Sequence, residues 1–141
     1  MREQNLIMNR SINVVCGFLG GTILSVDGGY RVLQHPRPDR IFSRIADARW
    51  FLAIAWCDQT ATPAGILTHE GQLTFQNQAA LALGDAFFLP LEHRKAIFSS
   101  CLSLTSGETT LYEIQPSRRQ IEILGIEIDP RYGKVAIVKF L

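Results

Sequence analysis

The residues of this chain that can do chemistry are few and far apart. A nucleophile needs a base within hydrogen-bond reach and a group that orients it. The three cysteines, Cys16, Cys57 and Cys101, and the three histidines, His35, His69 and His93, share no spacing that pairs them. There is no Cys-x-x-Cys, and the odd count argues against a disulfide framework or a zinc site. Each cysteine sits among apolar neighbours, where the thiol behaves as a small buried hydrophobe. His69-Glu70 stands at a strand end beside a turn, as a general base or simply as surface. Gly17, Gly20 and Gly21 lack the Lys-Ser/Thr that completes a phosphate loop. No catalytic motif and no metal site is read, so an enzyme is not expected.

Composition narrows the class. With 141 residues the chain holds one domain and room for a smaller extra segment. The 47% hydrophobic and 19% charged content is that of a soluble globular protein. A formal net charge of +1 gives no overall pull towards nucleic acid or an anionic membrane. Arg31, Arg37, Arg40, Arg44 and Arg49 cluster, as a solvated face or as a contact for an acidic partner. The apolar run Ile12–Leu24 after Arg2 and Arg10 mimics an export signal. Its glycines, the missing small-residue cleavage site and its length argue against both export and spanning. The expected location is cytoplasmic.

Periodicity supplies the elements. Ile12–Val15 reads as a strand. Thr22–Val26 and Tyr30–Leu33 flank Asp27-Gly28-Gly29, a hairpin signal, and the prolines of His35-Pro36-Arg37-Pro38 end the second strand. Ser43 is a candidate cap for a helix whose Ile45, Ala48, Phe51, Leu52 and Ala55 recur at helical spacing. Trp50, Ile54 and Trp56 widen that face beyond one packing partner. After a linker at 59–63, Ile66–His69 and Leu73–Gln76 are short strands around Glu70-Gly71. Asn77 caps Gln78–Leu83. The longest helix opens at Pro90 or Leu91, with Leu91, Ile97, Phe98, Cys101 and Leu102 inward, and runs to Gly107. Strands follow at 108–115, 120–128 and 134–141. The apolar phase of the second of these slips beside Gly125, which predicts a bulge.

From about Pro63 to Leu141 this order resembles the PAS family of sensor and interaction domains: two strands, short helices, one longer helix and three antiparallel strands. The most specific part is Gly71-Gln72-Leu73-Thr74-Phe75-Gln76-Asn77-Gln78-Ala79-Ala80-Leu81-Ala82-Leu83, similar to the family's second strand running into an Asn-capped helix. The resemblance implies an α+β fold, a PAS-like antiparallel sheet with helices on one face. Residues 61–141 form that domain, and residues 1–60 add an N-terminal β-hairpin–helix extension. It leaves the cofactor unknown. Flavin-adduct members need an Asn-Cys-Arg cysteine, and Gly84-Asp85-Ala86-Phe87-Phe88 has none. Haem-binding members place a histidine on the long helix. His93 lies there, but in its first turn and within the polar run Glu92-His93-Arg94-Lys95, which reads as surface. No effector segment is expected after Leu141, so a signal is expected to leave through protein contacts.

The resemblance further implies a cavity between sheet and helices, lined by Phe75, Leu81, Phe87, Phe88, Phe98, Tyr112 and Ile123. The same residues equally make a packed core. Three functions stay open. One is a stand-alone PAS-like signalling module, homodimeric, that binds a protein partner and a small apolar ligand. The second is an adaptor with a filled core, using Arg49, Trp50 and Trp56 as its interface. The third is a small enzyme on an α+β scaffold.

Overall fold

The computed structural model describes residues 22–34, 37–84 and 88–141. The expected strand Ile12–Val15, Cys16, the glycines at 17, 20 and 21, His35 and Phe87 lie outside them. The fold is α+β, with two antiparallel sheets and three helices among the described residues. Two compact units divide the chain, Met1–Ala53 and Ile54–Leu141, and the boundary falls inside the first helix.

In the first unit β1 (Thr22–Val26), β2 (Gly29–Gln34) and β3 (Arg37–Phe42) form a sheet in that order. The hairpin forms as expected, with Val26 opposite Gly29 across Asp27-Gly28. Strand β3 is not legible in the sequence, because Pro36 and Pro38 read as a stop. It is an edge strand beside a register shift, where a missing amide donor interrupts no second ladder. Helix α1 (Ile45–Gln59) follows, and its Phe51 ring lies 5.3 Å from that of Phe42. Ala46, Ala48, Leu52 and Ala53 on α1 are buried, as are Ile23 and Val32 on the sheet.

The second unit is built on β4 (Ala64–Thr68), β5 (Gln72–Gln76), β6 (Thr109–Ile114), β7 (Arg119–Asp129) and β8 (Gly133–Phe140), ordered β5-β4-β8-β7-β6. Between β5 and β6 come α2 (Gln78–Leu83) and α3 (Leu91–Leu102). Helix α3 is shorter than α1 and stops well before Gly107. There the Ser100 and Ser103 hydroxyls bond back to the carbonyls of Ala96 and Ser100, offering the chain an alternative to further helix. On the helix-covered face Leu67, Phe88, Ile97, Phe98, Ile121, Ile123, Val138 and Phe140 form one buried cluster. Leu91 and Leu102, expected as inward positions of α3, are exposed instead, because they flank the stripe of Ile97, Phe98 and Cys101 that meets the sheet. Phe98→Asp is expected to unfold this unit, since it puts an unpaired carboxylate into that cluster. A cooperative thermal melt and native circular dichroism from the variant would remove Phe98 from the core.

The opposite sheet face is buried too: Ile66, Leu124, Ile126, Val135 and Ile137 are no more than 5% exposed. This corrects the bulge expected at Gly125. The β7–β8 register runs unbroken from Ile121 to Glu127 and shifts only between Glu127 and Asp129. The apparent phase slip arises because Ile121 and Ile123 face the helices while Leu124, Ile126 and Ile128 fill the other side. Gly125 takes the helix-side position where a Cβ would stand 3.2 Å from Leu104 Cβ and 3.4 Å from the Cys101 carbonyl oxygen.

Asn77 ties the unit together. Its Oδ1 accepts from the Ala80 amide at 2.9 Å, the expected cap, and also from the Ala64 amide at 3.1 Å. Its Nδ2 donates to the carbonyls of Thr62 (2.8 Å) and Cys57 (3.0 Å). One buried side chain thereby joins the end of α1, the linker, β4 and the start of α2.

Candidate functional site

The residues expected to line an interior cavity do not converge. Phe88, Phe98 and Ile123 belong to the packed cluster, with half-buried Tyr112 against it. The Phe88 ring centroid lies 5.2 Å from that of Phe140. Phe75 pairs with Ile66 and so lies on the other face of the sheet. Leu81 is 57% exposed on α2, and Phe87 lies outside the described residues. Of the interface candidates, Arg49, Trp50 and Trp56 are each half-buried. Lys139 Nζ sits 5.1 Å from the Trp56 ring and pairs with Glu122 at 3.7 Å.

The structure instead builds an open groove of about 550 Å³ between the β4–β5 connection and α3. One wall is a 3-10 turn, His69–Gly71, with Gln72 following it; the other is the first half of α3 with Leu91, Arg94 and Lys95, and Leu73 completes the lining. The turn lies against the helix because residue 71 is glycine. Its φ is +90°, and a Cβ there would stand 2.7 Å from both the Arg94 carbonyl carbon and its oxygen. Glu70 beside it takes a left-handed conformation (φ 58°, ψ 23°). Arg94 is held in place by an Nε–H donated to the Leu89 carbonyl at 2.9 Å. His69 packs its ring 5.0 Å from that of Tyr132. The groove thus has Leu91, Arg94 and Lys95 on the helix wall, Glu70 on the turn wall and Leu73 completing the lining. In the sequence, His69-Glu70 and Arg94-Lys95 read as unrelated surface runs. Only the long-range contact at Gly71 brings them together.

His93 departs from the surface position expected for it. Its side chain is only 14% exposed, with Nδ1 2.9 Å from the Tyr112 hydroxyl and Nε2 3.2 Å from the Gln115 carbonyl. The carbonyl can only accept, so Nε2 carries a proton, and in the neutral ring Nδ1 then accepts from Tyr112. Both ring nitrogens are engaged in fastening α3 to the β6–β7 end of the sheet. The reason is topological: β6 returns beneath the first turn of α3, a contact 19 residues away in sequence. Among the described residues, no group of three or more His, Cys, Asp or Glu is placed to hold a metal ion, and no helix is long and apolar enough to cross a membrane.

The two described thiols are buried donors. Burial, and secondarily the charge of Asp58, pushes Cys57 up from 9.0 to about 12. Burial pushes Cys101 up to about 11 against the opposing pull of Lys134. Cys101 Sγ points at the Val135 carbonyl at 3.4 Å. The thiolate is the reactive form, so at pH 8 iodoacetamide should leave both residues unmodified in the folded protein and alkylate both in urea, read by peptide mass mapping. Above pH 9 the unfolded chain gives up thiol protons that the fold retains. The unfolded state then binds fewer protons, and stability should fall as pH rises towards 11 and 12. An unchanged urea midpoint between pH 8 and pH 10 would contradict this.

No family model matches this chain, and no curated protein matches it.

Proposed function

We propose that this chain is a PAS-like interaction module that binds a protein partner, with an interior filled by its own side chains. The observation that carries this reading is the order of residues 64–140: two strands, a short helix, a 12-residue helix and three antiparallel strands in one sheet. That is the order which the resemblance implies. The space where a ligand would sit holds Phe88, Ile97 and Ile123, each fully buried, so the adaptor reading gains over a buried apolar ligand. Recognition then falls to the surface, where the groove beside α3 offers concavity and charge.

Native mass spectrometry with an absorbance spectrum tests this. The expected result is the bare mass of the chain, colourless, as a monomer or a multimer. A molecule retained on the purified protein would replace the filled-core reading with that of a ligand-loaded sensor. Should the spectrum show a dimer, Trp56→Glu is the variant to measure next, and an unchanged oligomeric mass would remove that helix from the interface.

A further inference from the structure

We infer that Asn77 couples the two helices it joins, so that α2 and the end of α1 open and close as one unit. The side chain is 3% exposed and carries an acceptor and a donor on one planar amide. The acceptor serves a helix start: Oδ1 takes the Ala80 amide of α2 at 2.9 Å. The donor serves a helix end: Nδ2 gives to the Cys57 carbonyl in the last turn of α1 at 3.0 Å, and to the Thr60 and Thr62 carbonyls beyond it at 3.4 and 2.8 Å. A helix leaves amides open at its start and carbonyls open at its end, and here one residue answers both. The Ala64 strand end is held by the same residue. Its carbonyl accepts from the Asn77 amide at 2.9 Å, and its amide donates to Oδ1 at 3.1 Å.

Helix α2 is the weaker of the two helices. It has six residues, well under the about 12–15 at which an isolated helix is even marginal in water. Ala80 is its one buried residue, while Leu81, Ala82 and Leu83 are exposed. Little apolar burial holds α2 down, which places it at the low end of local stability. When α2 unwinds, its cap goes with it. The Cys57 carbonyl and the Ala64 amide, both of buried residues, then lose their partner together. Buried polar groups left unpaired are costly, so the last turn of α1 loosens as α2 does. Linkage makes the coupling reciprocal: fraying of that turn withdraws the acceptors that hold Asn77 and weakens α2. Trp56 lies in the same turn, so a change at the exposed surface of α2 is read at Trp56. This coupling holds whether or not the module binds a partner.

Native-state hydrogen exchange in low urea, on the full chain, tests it. The amides of Ala64, Leu81 and the last turn of α1 should open with one free energy, below that of the amides of β7 and β8. Ala82→Gly then reads the coupling, because Ala82 is exposed and its methyl makes no hydrogen bond. Glycine in a helix favours the opened form, so exchange should accelerate about fivefold at Leu81, and by the same factor at Ala64 and in the last turn of α1. In an Asn77→Ala background, Ala82→Gly should still reach Leu81 and no longer reach α1. Acceleration confined to α2 in the wild-type background overturns the inference. So does exchange of the α1 and Ala64 amides only together with β7 and β8, which leaves the two helix ends no opening of their own. An effect on α1 that persists without the Asn77 amide overturns the part given to Asn77. The wild-type comparison needs only a variant at an exposed position, so it decides the coupling even where Asn77→Ala does not fold.

Discussion

Asn77→Ala is expected to destabilise the protein by about 3–5 kcal/mol, a drop in melting temperature of about 10–20 °C. Loss of the cap on α2 accounts for about 1 kcal/mol. The larger share comes from the partners left behind. The Ala64 amide and the carbonyls of Cys57 and Thr62 are satisfied by this one side chain. Each of the two buried groups, the Ala64 amide and the Cys57 carbonyl, costs about 1–2 kcal/mol when left unpaired, whereas water reaches the carbonyl of exposed Thr62. Asn77→Asp should do worse at neutral pH, because a carboxylate oxygen then faces two carbonyl oxygens where an amide donated. That carboxyl would be held above its ordinary range by burial and by those lone pairs. The folded form then takes up its proton before the unfolded form does, and the variant should regain stability as pH falls. Urea denaturation at neutral and mildly acidic pH distinguishes the two. Equal stability of Asn77→Ala and wild type would mean that water replaces the amide without cost.

Gly71→Ala should cost about 2–5 kcal/mol and disturb the groove at the same time. A positive φ costs a residue with a Cβ about 1–2 kcal/mol. A methyl forced against packed neighbours adds about 1–3 kcal/mol, and here the neighbours are backbone atoms of Arg94 and Lys95, which cannot rotate away. Gly133 is the control. Its φ is +94°, but nothing lies within 4 Å of where a methyl would stand, so Gly133→Ala should show the backbone cost alone. In amide-resolved NMR, Gly71→Ala should shift Arg94, Lys95 and Leu73, whereas Gly133→Ala should leave them in place. If both variants lose the same stability and α3 does not respond, the turn and the helix are not locked as described.

The elements legible in the sequence share one property: their signals are local. Asn77 precedes the short helix it caps, and Asp27-Gly28 lies between the strands it joins. The features that are not legible depend on what lies across a face or a sheet. Strand β3 is hidden because proline is a local stop signal, and its tolerance depends on an edge position that the sequence does not mark. The phase of β7 mimics a bulge because alternation assumes one wet face, and the middle of this strand, residues 123–126, has none. His93 resembles a surface residue because its neighbours in sequence are charged, while its neighbours in space are Tyr112 and Gln115. The expected cavity disperses for a related reason. A list of apolar residues does not say which face of the sheet each one takes, and Phe75 takes the face away from Phe88.

Backbone preferences and hydrophobic periodicity act over a few residues. They are enough to set the α+β class, the hairpin, the capped helix and the order of strands and helices from Pro63 onward. Where function can sit is settled only when the chain packs. The groove needs Gly71 to bring a turn onto α3, more than twenty positions along the chain, and so to set Glu70 opposite Arg94 and Lys95. Such proximity is enforced by steric fit and burial acting through space, and neither leaves a pattern in the residues on either side.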